Sequence, residues 1–203
     1  MPRVTRGHGF LEQLLARLRA RKADSLLPEE LRSGLVVDIG CGSFPLFLTR
    51  TRFARKLGLD RQYLLSLPPQ VSQGIELRGF DAHASQPLPL ADDEASAVTL
   101  LAVFEHIRPD CLVLLLTEIH RVLVPGGVFV LTTPSSAAEP VLRALAAVGG
   151  ISKEEFEEHT DHYSRDKIRQ VLRQTPFAPE LTDFGLFELG MNVWVRARKQ
   201  SPP

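Results

Sequence analysis

The feature that most constrains the fold is a short apolar segment that runs directly into a glycine turn. Residues 35–39 are LVVDI, an apolar run broken by Asp38, and Gly40-Cys41-Gly42 follows at once. Pro45 then precedes the apolar residues 46–48, a position where its fixed φ suits the first turn of a helix. The segment therefore predicts a buried strand, a glycine turn and a helix in direct succession.

The same alternation of strand and helix continues along the chain. We expect further strands at residues 56–59, 75–80, 95–103 and 128–132, and helices at 139–148, at 164–174 and from Pro109 onward. The fourth strand is apolar without alternation, as expected when helices cover both faces of a parallel sheet. Pro125-Gly126-Gly127 is expected to separate a helix from the fifth strand.

The two ends of the chain complete the expected architecture. Residues 9–23 have the spacing of an amphipathic helix, and residues 181–189 and 191–198 look like two strands joined by a tight turn at Gly190. Regular alternation implies right-handed crossovers. The predicted fold is a single α/β domain, a Rossmann-like, doubly wound, mostly parallel sheet of seven strands with an antiparallel C-terminal strand pair.

Length, charge and cysteine content exclude several functions. The chain has 203 residues, with 24 Lys and Arg against 24 Asp and Glu, and this balance disfavours a general nucleic-acid binder. Cys41 and Cys111 are too few for a disulfide framework or a zinc site with paired cysteines. No apolar stretch approaches the roughly 18 residues of a membrane span, and no signal-peptide core is present. We expect a soluble, cytoplasmic protein that has no nucleic-acid partner and no stable membrane insertion.

The glycine turn itself is compatible with few cofactor classes. A dinucleotide site needs a third glycine where this chain has Pro45, so a nicotinamide-dependent oxidoreductase is disfavoured. A P-loop would need Gly-Lys-Ser/Thr after the turn, and that sequence does not follow.

Residues 36–42, VVDIGCG, resemble the first motif of class I S-adenosylmethionine (SAM)-dependent methyltransferases, in the type 11-like group of small-molecule enzymes. Further segments are similar to the family in order and spacing: Asp60 after strand two, Asp81-Ala82 after strand three, PLPLADD at 87–93, FEHI at 104–107 and EIHRVLVPGG at 118–127. The likeness covers about residues 34–134, and the terminal strand pair fits the family's reversed last strand.

This resemblance implies SAM as cofactor and a single methyltransferase domain over residues 1–203. Within it, residues 1–30 would form an N-terminal helix and cap, 34–134 the cofactor-binding core, and 135–203 the acceptor-side helices and the C-terminal hairpin. The implied cofactor contacts are the turn residues Gly40, Cys41 and Gly42, steadied by Asp38; Asp60 at the ribose hydroxyls; Asp81 and Ala82 at adenine; and Ala102, Val103 and Phe104 as pocket walls. A carboxylate suits these places because it accepts hydrogen bonds from hydroxyls and amines.

The chain departs from the family at Phe44, where a third glycine is usual. A bulky side chain there could obstruct the methionine end of the cofactor, or Pro45 could reshape the turn with Phe44 facing away. We favour reshaping, because a helix that starts at proline needs no glycine conformation.

Methyl transfer from a sulfonium needs alignment more than a protein nucleophile. His106 is the candidate general base, although a Glu105-His106 pair could equally cap a helix or brace a loop. In segment 158–164, EHTDHYS, His162 and Tyr163 are candidate acceptor contacts, or neighbours of a helix N-cap at Ser164. We expect no metal site, because no further cluster of ligands supports His159 and His162.

Residues 1–24 carry six basic and two acidic residues. The first helix therefore presents either a solvated basic face or a lid toward an anionic acceptor. The predicted function is SAM-dependent methyl transfer to oxygen, nitrogen or carbon of a small molecule; the alternative is a methyltransferase-like binding or scaffold protein without turnover. The sequence makes no prediction of oligomeric state.

Overall fold

The computed structural model describes residues 10–61, 74–135 and 164–202. Within these ranges the helices are α1 (Phe10–Ser25), α2 (Leu46–Arg50), α3 (Pro109–Val122) and α4 (Arg165–Leu172). The strands are β1 (Leu35–Ile39), β2 (Arg55–Asp60), β3 (Glu76–Gly79), β4 (Ala95–Leu101), β5 (Leu123–Pro134), β6 (Thr182–Phe187) and β7 (Asn192–Arg198). Short 3-10 turns lie at Glu29–Leu31, Phe104–His106 and Pro179–Leu181.

The seven strands form one sheet in the order β3-β2-β1-β4-β5-β7-β6. The first five strands pair in parallel, whereas β7 is antiparallel to both β5 and β6. The order reverses direction at β1, which brings the carboxyl ends of β1 and β4 together at a topological switch point, where open α/β sheets bind ligands. The predicted α/β fold with its antiparallel C-terminal pair is confirmed.

Helices cover both faces of this sheet. Neighbouring residues of β1 belong to different apolar clusters: Val37 packs with Leu112 and other residues of α3, while Val36 packs with Ala20 of α1 and Phe47 of α2. Because side chains alternate between the faces of a strand, these clusters are the two layers of a doubly wound sheet.

Several predicted boundaries differ from the structure: the strand expected at 181–189 spans Thr182–Phe187, and the fourth and fifth strands show the clearest differences. The fifth strand begins at Leu123 rather than Val128, because residues 125–127 remain within the strand as an irregularity instead of ending it. Gly126 adopts φ +78°, and Gly126 N–H and Gly127 C=O both hydrogen bond to the backbone of Lys199. The fourth strand ends at Leu101 rather than 103, since Ala102 has a left-handed φ of +54°.

Helix α1 contacts the C-terminal strand pair. Lys22 Nζ lies 4.6 Å from the ring centroid of Trp194, a cation–π geometry, and Arg19 interacts electrostatically with Glu188. Two basic side chains of α1 therefore interact with the C-terminal strand pair of the same chain. No helix in the described part of the chain has the length and apolar character needed to cross a membrane. The expected helix at 139–148 lies outside the described residues.

Candidate functional site

The glycine turn after β1 is fixed to β2 through its backbone. Gly40 N–H donates to the carbonyl of Leu59 at 2.7 Å, and Gly40 adopts φ +74°. A β-carbon at Gly40 would collide with the methyl groups of Val103, so glycine is required both by the φ angle and by this contact. Gly40 and Val103, both predicted site residues, are thus packed against each other.

Gly42 connects the same turn to the end of β2. Its φ is +68°, and its N–H donates to Asp60 Oδ2 at 2.9 Å. A β-carbon built on Gly42 would meet nothing within 4 Å, so this side of the turn is open. The structure therefore places the predicted ribose-binding carboxylate directly against an open glycine backbone.

Pro45 gives the following segment its shape. With φ −75° and ψ 67°, it forms an inverse γ-turn, and Leu46 N–H donates to the carbonyl of Phe44 at 2.7 Å. The first helical hydrogen bond then runs from Thr49 N–H to Pro45 C=O at 3.0 Å. The Phe44 side chain beside this γ-turn is half-buried. That Pro45 reshapes the turn so that Phe44 faces away from the cofactor stays a prediction.

Asp38 lies beneath the turn with 4% of its surface exposed. Thr99 on β4 donates a 2.6 Å hydrogen bond to Asp38 Oδ1. Burial raises the pKa of Asp38 to about 7, against the lowering effect of Thr99, and the nearby carboxylate of Asp60 adds to the rise. Two acids therefore interact at the carboxyl ends of β1 and β2.

Cys41, between the two glycines, is half-buried and free of any disulfide. Burial raises the pKa of its thiol, and the charges of Asp38 and Asp60 raise it further. Its sulfur packs against the backbone of Gly58, where a β-carbon would approach to 2.8 Å. This thiol is a poor nucleophile at neutral pH, because the thiolate is the reactive form.

The predicted adenine-side residues follow β3. Phe80 N–H donates to the Asp60 carbonyl at 3.0 Å, which sets the end of β3 beside that of β2. Asp81 Oδ1 accepts a 2.9 Å bond from His83 N–H and lies 3.9 Å from Arg61 Nε. Ala82 is half-buried against the apolar core. Asp60 is thus the last residue of β2 and Asp81 follows the neighbouring strand β3, so both acids lie at the carboxyl ends of these strands.

The segment after β4 lies on the other side of the glycine turn from Asp60 and Asp81. Ala102 N–H donates to the Thr132 carbonyl at 2.8 Å, and Val103 reaches Gly40 as described. Phe104 differs from the expectation of a pocket wall: it is 0% exposed and belongs to the core, since the 3-10 turn that begins there directs it inward. It supports the backbone of this segment and presents no surface to a ligand.

Residues 8–180 match the family of proteins described as a methyltransferase domain. The chain belongs to this family. The resemblance drawn from the motifs, and with it the expectation of a methyltransferase enzyme, is confirmed. No curated protein matches the sequence.

Solved methyltransferases share the fold of this methyltransferase. A SAM-dependent methyltransferase from Thermotoga maritima is 18% identical with a TM-score of 0.64, over 94% of this chain and 92% of that protein. One from Archaeoglobus fulgidus is 15% identical with a TM-score of 0.66, over 92% and 94%. A geranyl diphosphate methyltransferase in complex with SAM is 14% identical with a TM-score of 0.61, over 94% and 87%.

In this methyltransferase, Glu105 braces the segment that carries His106. Glu105 is 3% exposed and accepts a 2.9 Å hydrogen bond from Thr133 Oγ1 on β5. The half-buried His106 lies in the 3-10 turn, with its N–H donating to the Val103 carbonyl at 3.0 Å. Glu105 therefore braces this loop against β5. The catalytic role of His106 stays a prediction.

The candidate acceptor contacts His162 and Tyr163, and the histidine pair with His159, lie outside the described residues. Ser164 is the N-cap of α4 and accepts from Lys167 N–H at 3.3 Å, as predicted for a capping residue. No group of three or more potential metal ligands occurs within residues 10–61, 74–135 and 164–202.

Sequence reasoning missed Thr99 and Thr133, the hydroxyl partners of Asp38 and Glu105. Both threonines are fully buried within apolar strands. Threonine is also a common β-strand residue, so its sequence context carries no signal of a specific partner.

Proposed function

We propose that this methyltransferase transfers the methyl group of SAM to an oxygen, nitrogen or carbon atom of a small molecule. One observation carries the proposal: Asp38 and Asp60 interact beneath an open glycine turn at the ends of adjacent parallel strands. SAM has a cationic sulfonium and a cationic ammonium group. A cation is favoured beside two acids, because it stabilises their ionised forms.

The residues at this edge fit the parts of SAM. Asp60 would accept hydrogen bonds from ribose hydroxyls while its Oδ2 stays near Gly42 N–H. Asp81 and Ala82 would contact adenine, and the backbone of residues 40–42 would face the amino acid end. Ala102 and Val103 would border the pocket from the end of β4. The close packing of Val103 on Gly40 supports this arrangement, because it joins the ends of β1 and β4 at which SAM would bind.

The chemistry then requires little covalent participation from the protein. Bound SAM supplies an already activated methyl group, so the protein mainly aligns the acceptor and excludes water. The buried pair Glu105 and Thr133 would hold the 3-10 turn of His106 in a fixed position. From there His106 is our candidate for taking a proton from an acceptor hydroxyl or amine.

We propose a small-molecule acceptor for this site. A geranyl diphosphate methyltransferase, which is named for a small molecule, shares the fold of this chain and supports an acceptor of that class. His162 and Tyr163 are proposed acceptor contacts. The balanced net charge supports a protein without a nucleic-acid partner. A cytoplasmic location remains a prediction from its two cysteines.

Calorimetric titration with SAM tests the donor site. We expect the wild type to bind and Asp60→Ala to bind roughly ten- to a hundredfold more weakly, because hydrogen bonds to a charged group contribute about 1.5–3 kcal/mol. Asp166→Ala is the matched control, since Asp166 is an exposed acid on α4. Folded wild-type protein that does not bind SAM would exclude the proposed donor, and unchanged affinity in Asp60→Ala would exclude the ribose assignment.

Turnover is tested with SAM carrying a labelled methyl group and a whole-cell extract, which is separated after the reaction into small-molecule, protein and nucleic-acid fractions. Label in a small-molecule product supports the proposal. Label found only in protein or nucleic acid would contradict the small-molecule acceptor. SAM binding without transfer to any fraction would favour the alternative of a methyltransferase-like binding protein.

A further inference from the structure

The hydroxyl of Thr99 lies much closer to one of its two possible hydrogen-bond acceptors than to the other. Thr99 Oγ1 lies 2.6 Å from Asp38 Oδ1 and 3.4 Å from the carbonyl oxygen of Val37. A hydroxyl has a single hydrogen to donate, so the shorter contact makes the Asp38 carboxyl group the acceptor. Thr99 is 0% exposed and Asp38 is 4% exposed, so water does not readily replace this bond.

The register of the sheet creates this contact. Asp38 and Thr99 are partners in the parallel pairing of β1 with β4, and the glycine turn begins two residues after Asp38. The bond therefore joins the strand that leads into the turn to the strand whose end carries Val103. It lies at the switch point of the sheet, directly below the proposed donor site.

We propose that Thr99 is a positioning residue for the methyl donor, because its hydroxyl holds the Asp38 carboxyl group in place beneath the glycine turn and favours the ionised form of that group. This inference rests on the proposed function, since a cationic donor is what requires that negative charge. Thr99 acts through Asp38 and makes no contact with the donor itself.

The surroundings of Asp38 show why this hydroxyl matters. Within the described residues, the titratable groups that interact with Asp38 are Asp60 at the end of β2 and Cys41 in the turn. Burial and Asp60 both raise the pKa of Asp38, whereas the hydrogen bond from Thr99 lowers it. Loss of the hydroxyl would leave a buried acid beside another acid, without the donor that favours its charged form.

The test uses Thr99→Val, which keeps the branched shape and removes the hydroxyl, and Thr99→Ser, which restores the hydroxyl. Thr132→Val is the matched control: Thr132 is also 0% exposed, on β5, and its hydroxyl has no hydrogen-bond partner in the described structure. Asp38→Asn serves as a second variant if Thr99→Val does not fold.

Two quantities are measured from about pH 6 to pH 9, a range that spans the midpoint of a strongly raised carboxyl group. The first is the titration midpoint of Asp38 in the unliganded protein, followed by the carboxyl carbon resonance. The second is the affinity for SAM. In Thr99→Val we expect the Asp38 midpoint to rise by about one pH unit. At pH values below the wild-type midpoint, the affinity of this variant for SAM should be about tenfold lower than that of the wild type. Thr99→Ser and Thr132→Val should both follow the wild type.

The outcomes separate this inference from the proposed function. An unchanged Asp38 midpoint in Thr99→Val overturns the inference, and so does a raised midpoint with an unchanged affinity profile. In the wild type we expect the affinity for SAM to fall as pH decreases below the Asp38 midpoint. If the affinity of Asp38→Asn falls in the same way, Asp38 is not the responsible group and the inference fails. Absence of SAM binding by the wild type at every pH would instead overturn the proposed function, and the Asp38 titration would still decide whether Thr99 controls the carboxylate.

Discussion

The side chain of Val103 occupies the space that a β-carbon on Gly40 would need. Gly40 also has φ +74°, so Gly40→Ala should be destabilised twice, by about 1 kcal/mol for the left-handed backbone and by a further ~1–3 kcal/mol for overpacking. Gly42→Ala has a similar φ of +68° but open space, and should show the backbone cost alone. Urea unfolding of both variants measures the difference.

The double variant Gly40→Ala with Val103→Ala gives the control for this comparison. Removing the Val103 methyl groups should recover part of the stability lost in Gly40→Ala, because the two effects share one contact. Equal unfolding free energies for Gly40→Ala and Gly42→Ala would show that the Val103 contact is readily relieved.

The stability of the protein should depend on pH through Asp38. The pKa of Asp38 is about 7 in the folded state, against about 3.9 for an unfolded aspartate. Between these values the folded state binds more protons than the unfolded state, so the contribution of Asp38 to stability falls as pH rises through this window and then levels off. Asp38→Asn has no such titration. The difference in unfolding free energy between Asp38→Asn and the wild type should therefore increasingly favour the variant from about pH 4 to about pH 7.

Chemical denaturation at a series of pH values checks this sign. A Thr132→Val variant should keep the pH dependence of the wild type, because its hydroxyl has no acceptor among the described residues. A difference that is constant with pH, or that favours the wild type more as pH rises, would contradict the raised pKa.

Cys41 should react slowly with iodoacetamide in the native protein. Burial and the charges of Asp38 and Asp60 raise the pKa of its thiol, so little thiolate forms at about pH 8. In a Cys111→Ser background, which leaves Cys41 as the one cysteine, mass spectrometry gives its alkylation rate directly. Asp60→Asn should accelerate the reaction, because one of the two charges is removed.

A denatured sample provides the reference rate for an unperturbed cysteine. Native Cys41 that reacts as fast as denatured Cys41 would contradict the electrostatic account of the turn.

Arg121 on α3 should be a stabilising residue outside the candidate site. Its guanidinium donates to Glu118 Oε2 and to Asp92 Oδ1, each at 2.7 Å, and also to the backbone carbonyls within residues 88–90. Arg121→Met should cost about 2 kcal/mol of unfolding free energy, because several acceptors lose a charged donor at once. Arg108→Met is the control and should change stability little, since its ion pair is exposed.

Thermal or urea unfolding measures both variants. If Arg121→Met is no less stable than Arg108→Met, the carbonyls of residues 88–90 are satisfied by other partners. SAM affinity should be similar in both variants.

The glycine-turn region could be predicted from local sequence because its constraints are local. The strand at residues 35–39 was predicted with its observed bounds. Its apolar run is followed directly by glycines, which indicate a turn. The proximity of Asp60 to the turn followed from parallel strands ending at one edge, and Gly42 N–H donates to it as a result.

Other features depend on partners that are distant in sequence. Pro125-Gly126-Gly127 usually ends an element, but the backbone bonds to Lys199 keep these residues within β5. Phe104 follows an apolar strand, as a pocket wall would, but the turn after Ala102 directs it into the core. Thr99 has the sequence context of any strand threonine, and its bond to Asp38 depends on the register of β1 against β4.

The position of β7 also bears on how the chain folds during synthesis. β7 lies between β5 and β6, although it is the last of the seven strands in the sequence. Until β7 leaves the ribosome, β6 has no neighbour in the sheet and α1 lacks Trp194, the residue that Lys22 contacts. The nascent chain therefore exposes an open sheet edge until β7 has been synthesised, and during that time aggregation and chaperone binding compete with completion of the sheet.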